Sequence, residues 1–117
     1  MSQRIIKFRF FINGKLLGTA ELNRKTQIVD VPYDWDEVSQ FTGLFDKNGK
    51  EIWEGDICAW VNAKKFKEIA EVRFSDGQFF PHRITDYRQY LESSIEFFDS
   101  CEVLGNIYEN SELLNGN

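Results

Sequence analysis

Two cysteines, two prolines, one methionine and one histidine are all that 117 residues contain of these types, and each scarcity removes a class of chemistry. Cys58 and Cys101 lie far apart, form no Cys-x-x-Cys motif and have no neighbouring histidine to complete a metal set. They read as two reduced, packed thiols. A disulfide would need an oxidising compartment. The start Met1-Ser2-Gln3-Arg4, followed by Ile5-Ile6-Lys7-Phe8-Arg9, has charges where a secretory leader keeps an apolar run. The cytoplasm is the expected location. No apolar run approaches the roughly 18 residues that a membrane-spanning helix needs, so no membrane role is expected. Any acid–base or Cys-His scheme must pass through His82, the lone histidine, which follows Pro81 in a loop-like setting beside neither cysteine. The serines sit in no Gly-x-Ser-x-Gly elbow, and no glycine-rich loop is built to cradle phosphate. The expectation is no enzyme, no cofactor and no metal.

What the chain does have is aromatic side chains: eleven Phe, three Trp and four Tyr. Such residues bury large areas and favour pleated, half-buried surfaces. A chain of this length hides roughly two-thirds of the surface its unfolded form exposes, enough for one core, and residues 1–117 show no linker or repeat that would divide them. The formal net charge is −5, which gives no blanket attraction to phosphate.

The pattern is that of strands and turns. Ile6, Phe8, Phe10 and Ile12 alternate with Lys7, Arg9 and Phe11, which predicts one buried and one outward face. Asn13-Gly14 suits a type I′ hairpin into a strand over residues 15–22. A third run, residues 27–31, stops at Pro32. Residues 38–45 and 50–54 form two arms around the turn Asp46-Lys47-Asn48-Gly49. Gly55-Asp56 then bends the chain into a strand over residues 57–61. Ala70, Val72 and Phe74 alternate with polar residues, and Asp76-Gly77 turns the chain into Gln78-Phe79-Phe80. A short helix is expected near residues 84–94, capped at Thr85 or Asp86, with Ile84, Tyr87, Tyr90 and Leu91 at helical spacing. Residues 95–98 and 101–108 return to strand-like composition, and residues 111–114 suit a final helical turn. These elements predict a mainly β, β-rich α+β domain: a small, strongly twisted SH3-like β-barrel, although a two-sheet arrangement fits the same pattern.

Three blocks carry a resemblance. They are Phe41-Thr42-Gly43-Leu44 with Asp46-Lys47-Asn48-Gly49-Lys50-Glu51-Ile52 and Glu54-Gly55-Asp56-Ile57; Ile6-Lys7-Phe8-Arg9 near the start; and residues 101–110 near the end, Cys-Glu-Val-Leu-Gly-Asn-Ile-Tyr-Glu-Asn, followed by Glu112-Leu113-Leu114. In content and order they closely resemble the YopX family of phage and prophage proteins. The chain departs from the family pattern at Phe10-Phe11-Ile12. The resemblance implies an association with temperate phages of bacteria and supplies no catalytic residues and no site.

The carboxylates Asp34, Asp36, Glu37, Asp46, Glu51, Glu54 and Asp56 lack the spacing of a cation loop, since residues 46–49 have neither the further acidic ligands nor the distant Glu of a calcium site. Asn48, Gly49, Gly55 and Asp56 read as turn and bend residues, with Asp56 accepting backbone donors at a corner. Trp35, Trp53, Trp60, Phe79 and Phe80 exceed what a small core must hold and are candidate interface residues, with core packing the plainer role for most. The expected partner is a host or phage protein or another copy in a homo-oligomer. The alternative is nucleic acid, through Lys7, Arg9, Lys15, Arg24, Lys25, Lys64, Lys65, Lys67, Arg73, His82, Arg83 and Arg88 among the aromatics. A further alternative is an acidic surface that mimics DNA.

Overall fold

The computed structural model describes residues 5–23, 27–28, 34–61, 67–83 and 94–115. In chain order the elements are β1 (Ile6–Ile12), β2 (Lys15–Asn23), β3 (Gln27–Ile28), β4 (Glu37–Phe45), β5 (Glu51–Trp53), β6 (Asp56–Val61), β7 (Lys67–Ser75), β8 (Gln78–Arg83), α1 (Ser94–Ser100) and β9 (Glu102–Asn106), followed by a 3-10 helix at Ser111–Asn115. The mainly β reading holds.

The strands form two antiparallel sheets, one ordered β3-β2-β1-β4-β5 and the other β8-β7-β6-β9. Among the described residues no pairing closes either sheet, which corrects the SH3-like barrel to the two-sheet arrangement. Local signals account for the hairpins. Asn13-Gly14 and Asp76-Gly77 each place two successive residues at positive φ, the conformation a type I′ turn demands. β2 carries a bulge: Phe10 faces Gly18 and Phe11 faces Leu16, so Leu17 is the extra residue.

The core gathers Ile52, Cys58, Trp60, Ala70, Val72, Phe97, Phe98 and Cys101, with Phe79 and Val103 against it. Phe97 and Phe98 explain why residues 94–100 are helical where composition suggested a strand. Successive strand side chains point to opposite faces, whereas neighbours on a helix can share one side, and both rings are buried. About two turns of helix are marginal alone, so α1 depends on these two rings. The helix expected near residues 84–94, with Tyr87, Tyr90 and Leu91, falls almost wholly outside the described residues. Pro81 and His82 lie within β8 and not in a loop, with Pro81 on the edge strand where its missing N–H is tolerated.

The alternation in β1 also needs correction. Phe10 is buried on the expected face, but Arg9 and Phe11, assigned to the outward face, are buried too. The sequence pattern of one sheet does not show that a second sheet lies against its other side.

Candidate functional site

Where the two sheets meet, polar side chains from distant segments converge on Arg9. Its Nη2 donates to Asp56 Oδ1 at 2.8 Å and to the Glu54 carbonyl at 3.3 Å, and its Nε donates to Ser39 Oγ at 3.0 Å. Ser39 Oγ in turn donates to the same Glu54 carbonyl at 2.6 Å. The guanidinium carbon lies 5.2 Å from the Phe11 ring centroid and 5.1 Å from that of Trp53, so apolar faces and cation–π attraction hold the charge where water is scarce. One strand pitch away, Lys7 Nζ pairs with Glu51 and lies 4.9 Å from the centre of the Phe41 ring. Asp56 Oδ2 accepts the Trp53 N–H at 2.7 Å, which closes the corner between β5 and β6. Burial pushes the Asp56 carboxyl above its ordinary range, against the pull of Arg9 and the Trp53 N–H.

A second carboxylate works the same way. Asp46 Oδ1 accepts the N–H groups of Asn48 at 2.8 Å and Lys50 at 2.9 Å, and its Oδ2 accepts that of Val103 at 2.9 Å. Burial opposes ionisation of Asp46, but the three donors outweigh it and hold the carboxyl below its usual value. With Lys47 N–H donating to the Cys101 carbonyl at 3.0 Å, the β4–β5 turn is fastened to the outer edge of β9. Asn106 completes the set: its Oδ1 accepts from the Tyr108 and Glu109 N–H groups at 3.0 and 2.8 Å, and its Nδ2 donates to Glu109 Oε1 at 3.0 Å.

Tyr108 locks the junction. Its ring stacks on Phe11 with centroids 4.3 Å apart. It also lies so near Gly55 that a Cβ there would come within 2.8 Å of it. Burial, and then the charge of Glu54, push its phenol up to about 12. Gly55 itself donates its N–H to the Val72 carbonyl at 2.7 Å and accepts from Ile107 at 2.9 Å.

A cleft of about 160 Å³ opens on this junction, lined by Arg9, Lys50, Trp53, Asp56, Val103 and Asn106 among others. Of its acids and bases, Arg9, Asp56 and Glu51 are engaged in hydrogen bonds or ion pairs within the fold. The two thiols are fully buried in the core, and the hydrogen bond with Cys101, together with burial, pushes the Cys58 thiol well up, away from the nucleophilic thiolate. Among the described residues, no group of three or more His, Cys, Asp or Glu side chains is placed to hold a metal ion.

The family model for the YopX protein matches residues 12–115. The chain belongs to the YopX family. It is also similar to a solved structure, the crystal structure of protein EF1440 from Enterococcus faecalis, at 28% sequence identity and a TM-score of 0.61, over 96% of this chain and 99% of that one. No curated protein matches.

In this YopX-family fold the five candidate interface residues separate. Trp53 and Trp60 are buried, Phe79 and Phe80 are half-buried with Phe79 against the core, and Trp35 alone of the five is exposed. Asn48 and Gly49 lie in the turn organised by Asp46, and Gly55 and Asp56 in the corner closed by Trp53. Arg9 is the residue that sequence reasoning placed elsewhere, among solvent-facing cations. No local signal marked it, since between Phe8 and Phe10 Arg9 falls on the outward face of the alternation.

Proposed function

We propose that this YopX-family chain is a non-enzymatic phage or prophage accessory protein of the host cytoplasm. It acts by contact with another protein or with copies of itself. One observation carries the reading: among the described residues, ten large apolar side chains, from Ile5 to Leu104, are at least 39% exposed, while the charged groups of the sheet junction are engaged internally. Where such side chains gather into a contiguous patch, exposed apolar surface marks an interaction site. The same engagement weighs against nucleic acid, because Lys7, Arg9 and Arg73 of the basic set have carboxylate partners in Glu51, Asp56 and Glu71. No described helix is long and apolar enough to cross a membrane.

The test is to recover tagged full-length protein from phage-infected bacteria, with and without nuclease, and to determine the mass of the purified protein in solution. A protein partner retained after nuclease, or a stable oligomer, is the expected result. A partner lost on nuclease treatment would turn the reading to nucleic acid, and recovery of a bare monomer would end it.

A further inference from the structure

The fold brings together two groups that the chain keeps far apart. Cys58 on β6 pairs across the sheet with Val103 on β9, and Cys101, two residues before Val103, returns to the same side of that sheet. Both thiols are free, fully buried and part of one core cluster. Their contact has a direction. Cys101 Sγ donates to the Phe98 carbonyl at 3.8 Å, which leaves the Cys101 sulfur to accept from the Cys58 thiol. That hydrogen bond holds the Cys101 thiol below its ordinary value against the effect of burial, while the same bond and burial push Cys58 up. Cys101 is therefore the nucleophile of the pair. Its position gives the pair mechanical reach. Cys101 is the single residue between α1 and β9, and its carbonyl accepts the Lys47 N–H at 3.0 Å. A covalent bond from Cys101 to Cys58 ties β6 to the α1–β9 joint and encloses β7, β8 and α1 in one loop.

We propose that Cys58 and Cys101 are an oxidisable pair that hydrogen peroxide converts into an internal disulfide, a latch across the core that stands open in the reduced chain. The Cys101 thiolate attacks one oxygen of the peroxide, the O–O bond breaks, and Cys101 becomes a sulfenic acid. The released hydroxide takes the proton that the thiol gave up. The Cys58 sulfur then attacks the Cys101 sulfur, the S–O bond breaks, and the hydroxide leaves with the Cys58 proton as a second water. Two thiols lose two electrons, and peroxide is reduced to water. Burial sets the tempo. Peroxide reaches Cys101 when the fold opens, and reclosing presses the sulfenic acid against Cys58, so proximity in the closed fold selects an internal bond over a link between chains.

The test treats reduced, full-length protein with hydrogen peroxide in native buffer and follows intact mass, free-thiol content and unfolding by denaturant. The expected product is a single chain two hydrogens lighter, without free thiol, whose digest joins the peptides that hold Cys58 and Cys101 and which dithiothreitol reverts. It is expected to keep the native spectrum and to unfold with an equilibrium constant at least about tenfold smaller, because the closed loop restrains the unfolded chain. Two variants assign the roles. In Cys58→Ser, a dione that captures sulfenic acids is expected to label Cys101, and in Cys101→Ser it is expected to label Cys58 at least about tenfold more slowly. Disulfide-linked dimers, sulfinic acid with no loss of two hydrogens, or an internally bonded chain that has lost the native spectrum or unfolds more readily would overturn the inference. These three readouts come from the unaltered chain and stand even where a serine fails to pack. Equal labelling of Cys58 and Cys101 in the two folded variants would overturn it as well.

Discussion

Arg9 on β1 and Asp56 at the start of β6 meet at 2.8 Å across the sheet junction, with only 8% and 1% of the two residues exposed. A charge pair this deep contributes less through its own attraction than through what happens when one member is lost, because the survivor is left buried and uncompensated.

Asp56→Val is therefore expected to destabilise the fold by about 3–5 kcal/mol, the usual consequence of breaking a buried pair from one side. The double variant Arg9→Met/Asp56→Val is expected to lose less than Asp56→Val alone, since no unpaired guanidinium remains. Urea unfolding monitored by tryptophan fluorescence measures both. A double variant as unstable as the sum of the two singles would show that the two residues do not act as a pair.

Asp46 makes the fold acid-sensitive. Its carboxyl lies below the ordinary 3.8 in the folded chain, so its stabilisation is complete above that unfolded value and is lost as pH falls through the lower folded one. Asp56 works in the opposite sense. Its raised value lets the folded chain take up a proton before the unfolded chain does, which favours folding as pH falls toward 3.8. The stability difference between the unaltered protein and Asp46→Asn is thus expected to be level above about pH 5 and to shrink below about pH 4. Unfolding curves from pH 2.5 to 7 check it, and a difference that grows on acidification would contradict the assigned donors.

How much of this was legible in the sequence follows from distance along the chain. Asn13-Gly14 and Asp76-Gly77 announce their hairpins because two adjacent residues carry the whole signal of a type I′ turn. Gly55-Asp56 announces a corner for the same reason. Arg9 is different: its partner lies 47 residues away, and period-two alternation gives Arg9 to solvent unless the second sheet is already in view. Closure was ambiguous on the same grounds. Two open sheets and a barrel share the same hairpins and differ in which distant strands pair, such as Phe8 with Gln40 and Asp56 with Asn106. Phe97-Phe98 misled because aromatic residues favour strands in isolation, while here a helix delivers both adjacent rings to one and the same core cluster. At the surface, composition could count the tryptophans but not separate the exposed Trp35 from the buried Trp53 and Trp60.

The thiols offer a readout of global opening. Cys58 and Cys101 are both fully buried in the main core cluster, so an aromatic disulfide reagent is expected to find neither in the native protein. Labelling should follow the unfolding rate measured by fluorescence under the same conditions. Rapid labelling of one thiol in native buffer would mean that the β6–β9 edge opens independently of the rest.

Gly55 and Gly43 have nearly equal φ values, +87° and +86°, and so form a matched pair for separating backbone strain from collision. A Cβ at Gly43 meets nothing within 4 Å, whereas one at Gly55 comes within 2.8 Å of the Tyr108 ring. That ring cannot simply swing aside, because it is stacked on Phe11. Gly43→Ala is expected to cost about 1–2 kcal/mol, the penalty of a left-handed conformation alone. Gly55→Ala is expected to cost at least about 1 kcal/mol more, from overpacking. In a Tyr108→Ala background the excess should vanish while the backbone component stays. Chemical unfolding of the four variants tests this directly. If Gly55→Ala costs no more than Gly43→Ala, the Tyr108 ring does not resist a side chain at Gly55. If the excess persists without the ring, it belongs to the Val72 and Ile107 hydrogen bonds on either side of Gly55.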